Sequence, residues 1–497
     1  MRPLTRRQAL VLGAAGVGSV VVGGIGAAQT PLPWSAAPPD AHGPGGRAGG
    51  GVTPDADGAT LVEPTVLTSE GGVLEVELEM AEREVRVGDV TARLLTYNGT
   101  VPGPTLLLRP GDTLRVRLVN RLDDVTNLHV HGLHVSPEGN SDNPFLAIGP
   151  GESFDYEIVL PDDHPAGTLW YHPHHHGMVA DQMFTGLYGA IVVEDDLPAG
   201  RVLVVSDISL TEDGGVRQVS QPERMMGREG ETVLVNGQVR PRITAAPGER
   251  QRWRVVNACT SRHLRLELEG QEVTVLGVDL GREAEPTPFG DLLLAPGNRA
   301  DLLVTAAEGA ATLRALPHER GGMMGMMGGA TASSEPVTLA TLEVAGTPAE
   351  PPEELPPAGA VRDLRDVEPA ARRTLTFTMG MGGGRGPGGM TFGFDGRGFD
   401  AERTDQDVAA GTVEEWVIDN PTPMDHPFHL HVWPMQVVEA AGATVGPPTW
   451  RDVVTVPAGS RVVVRVPFED LTGRTVYHCH ILDHEDAGMM GVVDVRA

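Results

Sequence analysis

Apolar and polar residues alternate along this chain in short bursts of four to nine positions. The clearest, Leu114-Arg115-Val116-Arg117-Leu118-Val119-Asn120, puts every second side chain on one face, as a half-buried strand does. Tyr97-Asn98-Gly99 and Pro110-Gly111-Asp112 precede it as turns. The same succession returns as Val235-Asn236-Gly237, Pro247-Gly248-Glu249 and Arg252-Trp253-Arg254-Val255-Val256-Asn257. A more worn copy runs Phe394-Asp395-Gly396, Ala410-Gly411-Thr412 and Glu415-Trp416-Val417-Ile418-Asp419-Asn420. Further on, Gly149-Pro150-Gly151-Glu152-Ser153, Ala295-Pro296-Gly297-Asn298-Arg299 and Val456-Pro457-Ala458-Gly459-Ser460 each open another strand-like run. One strand-and-turn plan used three times predicts an all-β chain of three antiparallel Greek-key sandwiches, at 60–197, 198–346 and 370–497. A Pro- and Glu-rich linker over 347–369 separates the last two.

Composition agrees. The 497 residues suit two to four domains. With 64 Gly and 41 Pro against 4% aromatics, turns should be frequent and long helices scarce. Every basic side chain is Arg, and 38 of them against 67 acids leave a formal charge of −29. That field repels phosphate, so nucleic acid and anionic membranes are excluded as electrostatic partners.

Thr5-Arg6-Arg7-Gln8-Ala9-Leu10, followed by an apolar stretch ending at Gly26-Ala27-Ala28, reads as a twin-arginine export signal over 1–28. Its several glycines argue against a retained membrane span. Export implies a periplasmic, cell-envelope or extracellular protein, expected to act as a monomer free of the membrane once the signal is removed. The Gly-, Pro- and Ala-rich stretch 29–59 predicts a disordered tether.

The chemistry lies in the histidines. Eight of the 17 histidines form four His-x-His pairs: His129-Val130-His131, His172-Pro173-His174, His429-Leu430-His431 and His478-Cys479-His480. On a strand, residues i and i+2 share a face, so each pair aims two imidazoles at one point, and eight imidazoles enclose a metal cluster. Cys479 must then face the other way. With His426, His484 and Met489 it completes a His₂Cys set with a weak axial thioether, the ligands of a blue-copper electron-transfer centre. In the first repeat Pro173 takes the place of the cysteine and Thr126 that of His426, so the thiolate site is expected only in the third. The middle repeat has Cys259, His263 and His318 but no pair, which predicts a spacer that positions its neighbours. Cys259 sits in an apolar strand and is expected to be a buried free thiol.

These motifs resemble the three-domain multicopper oxidases, the laccase and cuprous-oxidase family. The matches are His129-Val130-His131-Gly132, Gly167-Thr168-Leu169-Trp170-Tyr171-His172-Pro173-His174, His426-Pro427-Phe428-His429-Leu430-His431, and His478-Cys479-His480 through Met489. The resemblance implies cupredoxin-like domains and four copper ions. His426, Cys479, His484 and Met489 would hold the type 1 ion, and His129 and His429 the type 2 ion. His131, His172, His174, His431, His478 and His480 would hold the type 3 pair. His174-His175-His176 is itself a His-x-His, and only the family pattern selects His172 with His174.

Dioxygen needs four electrons and four protons to become two waters. Asp142 and Glu485 are the candidate proton-relay acids, at positions that resemble acids with this role in the family. The electron donor is either Cu(I) or a small phenol or aromatic amine. Met323, Met324, Met326, Met327, Met379 and Met381 lie in Gly-rich stretches and offer soft thioethers to Cu(I). Met424 and Asp425 immediately precede His426, and Met424 matches a substrate-copper methionine of bacterial cuprous oxidases. Thr422 stands where that group carries an acid, so Asp425 would have to compensate. Without oxidase turnover, the chain would instead be a copper-storage module or a structural relative of the family.

Overall fold

The computed structural model describes residues 51–54, 58–283, 285–321, 335–350, 354–381 and 389–497. The expected export signal, most of the tether and Met323, Met324, Met326 and Met327 lie outside them. Each third of the chain forms two stacked sheets. In the first, Val90–Tyr97, Val73–Val87, Thr113–Asn120 and Ser153–Val159 make one sheet. Val66–Thr68, Thr105–Leu108, Gly189–Val193, Gly167–His172 and His129–His131 make the other. In the third, the sheet that carries the chemistry orders Gln406–Ala409, Met490–Arg496, Gly473–Cys479, His426–Leu430 and Val453–Val456. The only helices among the described residues are three short ones, Val179–Phe184, Gln221–Met226 and Leu482–Asp486. None is long and apolar enough to cross a membrane.

The repeats read from sequence are repeats of geometry. Asn98, Asn236 and Asp395 have φ of 53°, 51° and 51°, and the glycines after them 79°, 73° and 76°. Two successive left-handed residues make the tight turn that a right-twisted hairpin requires, which is why Asn-Gly or Asp-Gly recurs there. The asparagine closing each alternating strand recurs for another reason. Asn120, Asn257 and Asn420 are buried, and their amides donate to carbonyls of the following loop: Asp124 and Ile148, Arg262 and Leu294, Met424 and Val456. Each clamps the loop that leads into the next strand, which in the first and third domains bears a His-x-His pair or part of one.

Sequence alternation predicted antiparallel pairing, but each sandwich also contains parallel pairs. Val73–Val87 runs parallel to Thr113–Asn120, Arg201–Ile208 to Arg250–Asn257, and Ala371–Met381 to Thr412–Asn420. Between such partners the chain visits the facing sheet and returns, so it re-enters in the same direction.

Two boundaries also shift. Gly51–Val52, inside the expected tether, pairs with Leu210–Thr211. The linker is anchored on the third sandwich: Leu364 is buried with its N–H on Gln436 Oε1, and Arg362 bridges to Glu469.

Candidate metal centres

Register brings the pairs together. His129 lies opposite His172 and His131 opposite Trp170, while His429 lies opposite His478 and Phe428 opposite Cys479. The first and third domains thus present their histidine faces to one another. His129 stacks on His431 with ring centroids 3.8 Å apart, and His131 on His429 at 3.9 Å. Ligand nitrogens converge in three sets: His129, His429 and His431; His131, His172 and His480; His174, His431 and His478. All eight histidines are buried. His176, the alternative, packs its ring against Phe399 instead.

Four of these eight rings, those of His129, His172, His429 and His478, have Nδ1 held by a hydrogen bond, which fixes Nε2 as the free lone pair. Nδ1 of His129 meets Asp142 Oδ1 at 2.8 Å, His429 Nδ1 donates to the Asp452 carbonyl at 2.7 Å, and His172 Nδ1 to the Pro173 carbonyl at 2.8 Å. His478 Nδ1 lies 3.0 Å from Glu485 Oε2, and His131 Nδ1 3.0 Å from Asp452 Oδ2. Inside the chamber, Nε2 of His129, His131, His172, His429 and His480 are buried without a protein hydrogen-bond partner. Nε2 of His174, His431 and His478 stand 3.1–3.2 Å from one another. Lone pairs facing one another at that distance are costly unless a cation sits among them. Burial first, then mutual repulsion, holds His172 at about 3. Burial holds His174 at about 4, with the charge of Glu485 opposing it. Neutral imidazole is the form that ligates. The residues therefore fit a copper cluster.

On the opposite face of the same strand, Cys479 Sγ lies 3.4 Å from His426 Nδ1 and 4.0 Å from His484 Nδ1. His426 Nε2 donates to Thr422 Oγ1 at 3.0 Å, and His484 Nε2 to the Met225 carbonyl, from the second domain, at 3.0 Å. Thr422, at the position where the resemblance implied an acid, thus orients the His426 ring. Met489 is buried in the same core, its backbone tied to Cys479 and His484. Burial pushes the Cys479 thiol well up, so ionisation needs a metal. Cys259 is free and buried.

Of the relay candidates, Asp142 is buried against His129, and burial raises it to about 8 despite the Val130 N–H. Glu485 is buried between His478 and His174. Burial pushes it up, but the two imidazoles more than offset this and hold it well below the ordinary range. Met424 is fully buried; Asp425 accepts from Ala458 N and faces His318 Nε2 at 3.2 Å. Met379 lies half-buried in the strand Ala371–Met381, and the Met381 side chain is outside the described residues. Met390, which pairs opposite Met381 in the neighbouring strand, packs in the third core.

Sequence reasoning missed the second domain's part. Arg299 is buried, with Nη1 2.6 Å from Asp452 Oδ1 and Nε on the Thr168 carbonyl, so it joins all three domains beside the chamber. Gly297, at φ 88°, passes so close that a Cβ there would meet His480 Nε2 at 2.9 Å and His131 Nε2 at 3.1 Å. The domain is more than a spacer. No local pattern marks Asp452 or Arg299, because the contacts that bring them together with each other, with Thr168 and with His131 span over a hundred residues.

Comparison with known proteins agrees with this geometry. Profiles described as multicopper oxidase match residues 79–198, 202–315 and 366–497. The multicopper oxidase mco of Staphylococcus haemolyticus is 29% identical over 423 residues, 81% of this chain and 83% of that protein. The Bacillus subtilis laccase is 26% identical over 506 residues, 87% and 96% of the two chains. Among solved structures, a Campylobacter jejuni multicopper oxidase, described as a metallo-oxidase, superimposes with a TM-score of 0.79 at 30% identity, covering 89% of this chain and 96% of that one.

Proposed function

Because this chain belongs to the multicopper oxidase family, and is therefore a copper-dependent oxidoreductase, we propose that it couples single-electron oxidation of a reductant at Cys479 to four-electron reduction of dioxygen to water at the histidine chamber. The reductant is Cu(I), a phenol or an aromatic amine. Its ligands are those read from sequence: His426, Cys479, His484 and Met489 for type 1, His129 and His429 for type 2, and His131, His172, His174, His431, His478 and His480 for type 3. Bound copper, four ions per chain, supplies one-electron redox capacity sufficient for the four electrons that dioxygen requires.

The protein's own residues do the rest. The observation that carries the reading is the strand Gly473–Cys479, which turns the thiol to one side while His478 and His480 face the other. Two short covalent routes therefore join the sites. Asp142 and Glu485, each against a cluster imidazole, hold protons or accept them where oxygen reduction consumes them. Carbonyl and carboxylate partners hold the rings in place, so little reorganisation accompanies electron arrival. Arg6-Arg7 supports export by the twin-arginine route to the periplasm, envelope or exterior. The deciding experiment is oxygen uptake by copper-loaded protein, with Cu(I) and a phenol compared side by side. Four electrons drawn per dioxygen supports the reading; inertness to dioxygen with both donors overturns it.

A further inference from the structure

Outside the two centres, His263 has no hydrogen-bond partner for either ring nitrogen, and a second histidine stacks on it. His263 is the last residue before the strand Leu264–Leu268, as Asp425 is the last before His426–Leu430. It is 5% exposed, yet both ring nitrogens are buried and without a protein partner. A buried polar group normally pairs, so one with two orphaned nitrogens calls for a ligand. His318 stacks against it with ring centroids 5.1 Å apart. Rings within the metal centres stand at like separations, His131 to His480 at 5.1 Å and His426 to His484 at 5.3 Å, but edge-on at 65° and 61°, where His263 and His318 are inclined by 28°. The two rings line a cavity of about 20 Å³, room for one atom, together with Glu229, Arg262 and Glu335.

The pair is joined to the thiolate site. His318 Nε2 lies 3.2 Å from Asp425 Oδ2, and Asp425 directly precedes His426. Asp425 N donates to the Arg320 carbonyl, and Gly321 bridges to Met424. A proton on His318 Nε2, held by Asp425, leaves Nδ1 as a lone pair, the carboxylate–imidazole arrangement that also orients His129 through Asp142. The segment carrying His318 continues in sequence straight into Met323-Met324-Gly325-Met326-Met327.

Local charge selects the ion. Arg262 pairs with Asp207 and Glu229, and Arg320 with Glu229. Two cations and two anions cancel, leaving Asp425 as the part-buried negative charge; Glu335 is exposed at the rim. One positive charge neutralises that balance. A divalent ion would leave a buried excess beside two guanidinium groups.

We propose that His263 and His318, with Asp425 orienting His318, form a docking site in the second domain for cuprous ion as substrate, next to the type 1 ligand His426. The proposal rests on the oxidase reading above and names its donor. One electron passes from the docked ion towards His426, Cu(I) becomes Cu(II), and the doubly charged product is expelled by the same charge balance. Four such turns with four protons convert one dioxygen to two waters.

The test uses the copper-loaded enzyme and the single variants His263→Gln and His318→Gln. Silver(I), a redox-inert monovalent ion of the same coordination habit, is the binding probe. We expect the wild type to bind one more silver ion than either variant, and zinc(II) not to compete. With Cu(I) as donor, kcat/KM should fall at least about tenfold in each variant, while kcat/KM with a phenol and the blue absorption stay unchanged. Equal silver binding in all three proteins overturns the site, as does Cu(I) turnover within twofold of wild type. Oxygen uptake with a phenol but not with Cu(I) sinks this proposal alone. No uptake with either donor sinks the oxidase reading, and the silver difference still decides the site.

Discussion

Asp452 Oδ1 lies 2.6 Å from Arg299 Nη1, while its other oxygen stands 3.0 Å from Nδ1 of His131. One carboxylate of the third domain thus pairs with a guanidinium of the second and lies beside an imidazole of the first. All three groups are buried, and burial raises the Asp452 carboxyl, with the Arg299 charge opposing it. Removing the carboxylate leaves the Arg299 guanidinium charged in a dry site. We expect Asp452→Ala to destabilise the protein by about 3 kcal/mol, read as a lower denaturant midpoint at unchanged slope. An unchanged midpoint would show the pair to be dispensable.

Gly297 gives a prediction about loading. Any side chain there enters the space between His131 and His480, and the φ of 88° adds strain. Gly297→Ala should therefore lose one or both type 3 ions by elemental analysis while keeping the blue colour. Full loading of the variant would mean that the second domain's loop does not border the cluster.

Cys479→Ser should abolish the intense blue absorption and lower the copper content by one ion, since the thiolate lies on the opposite face from the imidazole chamber. Colour retained in the variant would refute the type 1 assignment.

Asp142 separates proton supply from electron supply. Asp142→Asn keeps the size and an acceptor for His129 but removes the acid, so oxygen reduction should slow by about a hundredfold. Anaerobic bleaching of the blue colour by donor should keep its wild-type rate. Slowing of both steps alike would assign Asp142 a structural role only.

A pH-dependent clasp joins the first and third domains. His134 Nε2 lies 2.7 Å from Asp470 Oδ2, and Nδ1 donates to the Val432 carbonyl. Burial pulls His134 down, but these two hydrogen bonds outweigh it and hold it above its ordinary value; the bond from His134 holds Asp470 below its own. A raised histidine stabilises fully below about pH 6.5 and loses that contribution as pH rises through its folded value. A lowered carboxylate stabilises above about pH 4 and loses it on further acidification. His134→Gln should therefore lower stability between those limits and converge with wild type at pH 9. A constant difference at every pH would rule out an ionic clasp.

The sequence by itself determined the three sandwiches and the chain's chemistry, because both rest on short-range periodicity. Asn-Gly turns, alternating strands and His-x-His pairs depend on residues a few positions apart, and the pleat alone sends Cys479 to one face and His478 and His480 to the other. The parallel pairings, the anchoring of Leu364 and the choice of His174 over His176 depend on how the chain returns to itself, which no local pattern encodes. The same holds for Arg299 and Gly297 at the chamber, Asp452 behind His131, and His263 beside His318. These are contacts between segments from 40 to more than 300 residues apart, made when the sheets stack and the three domains close on one another and exclude water, and only the tertiary structure decided them.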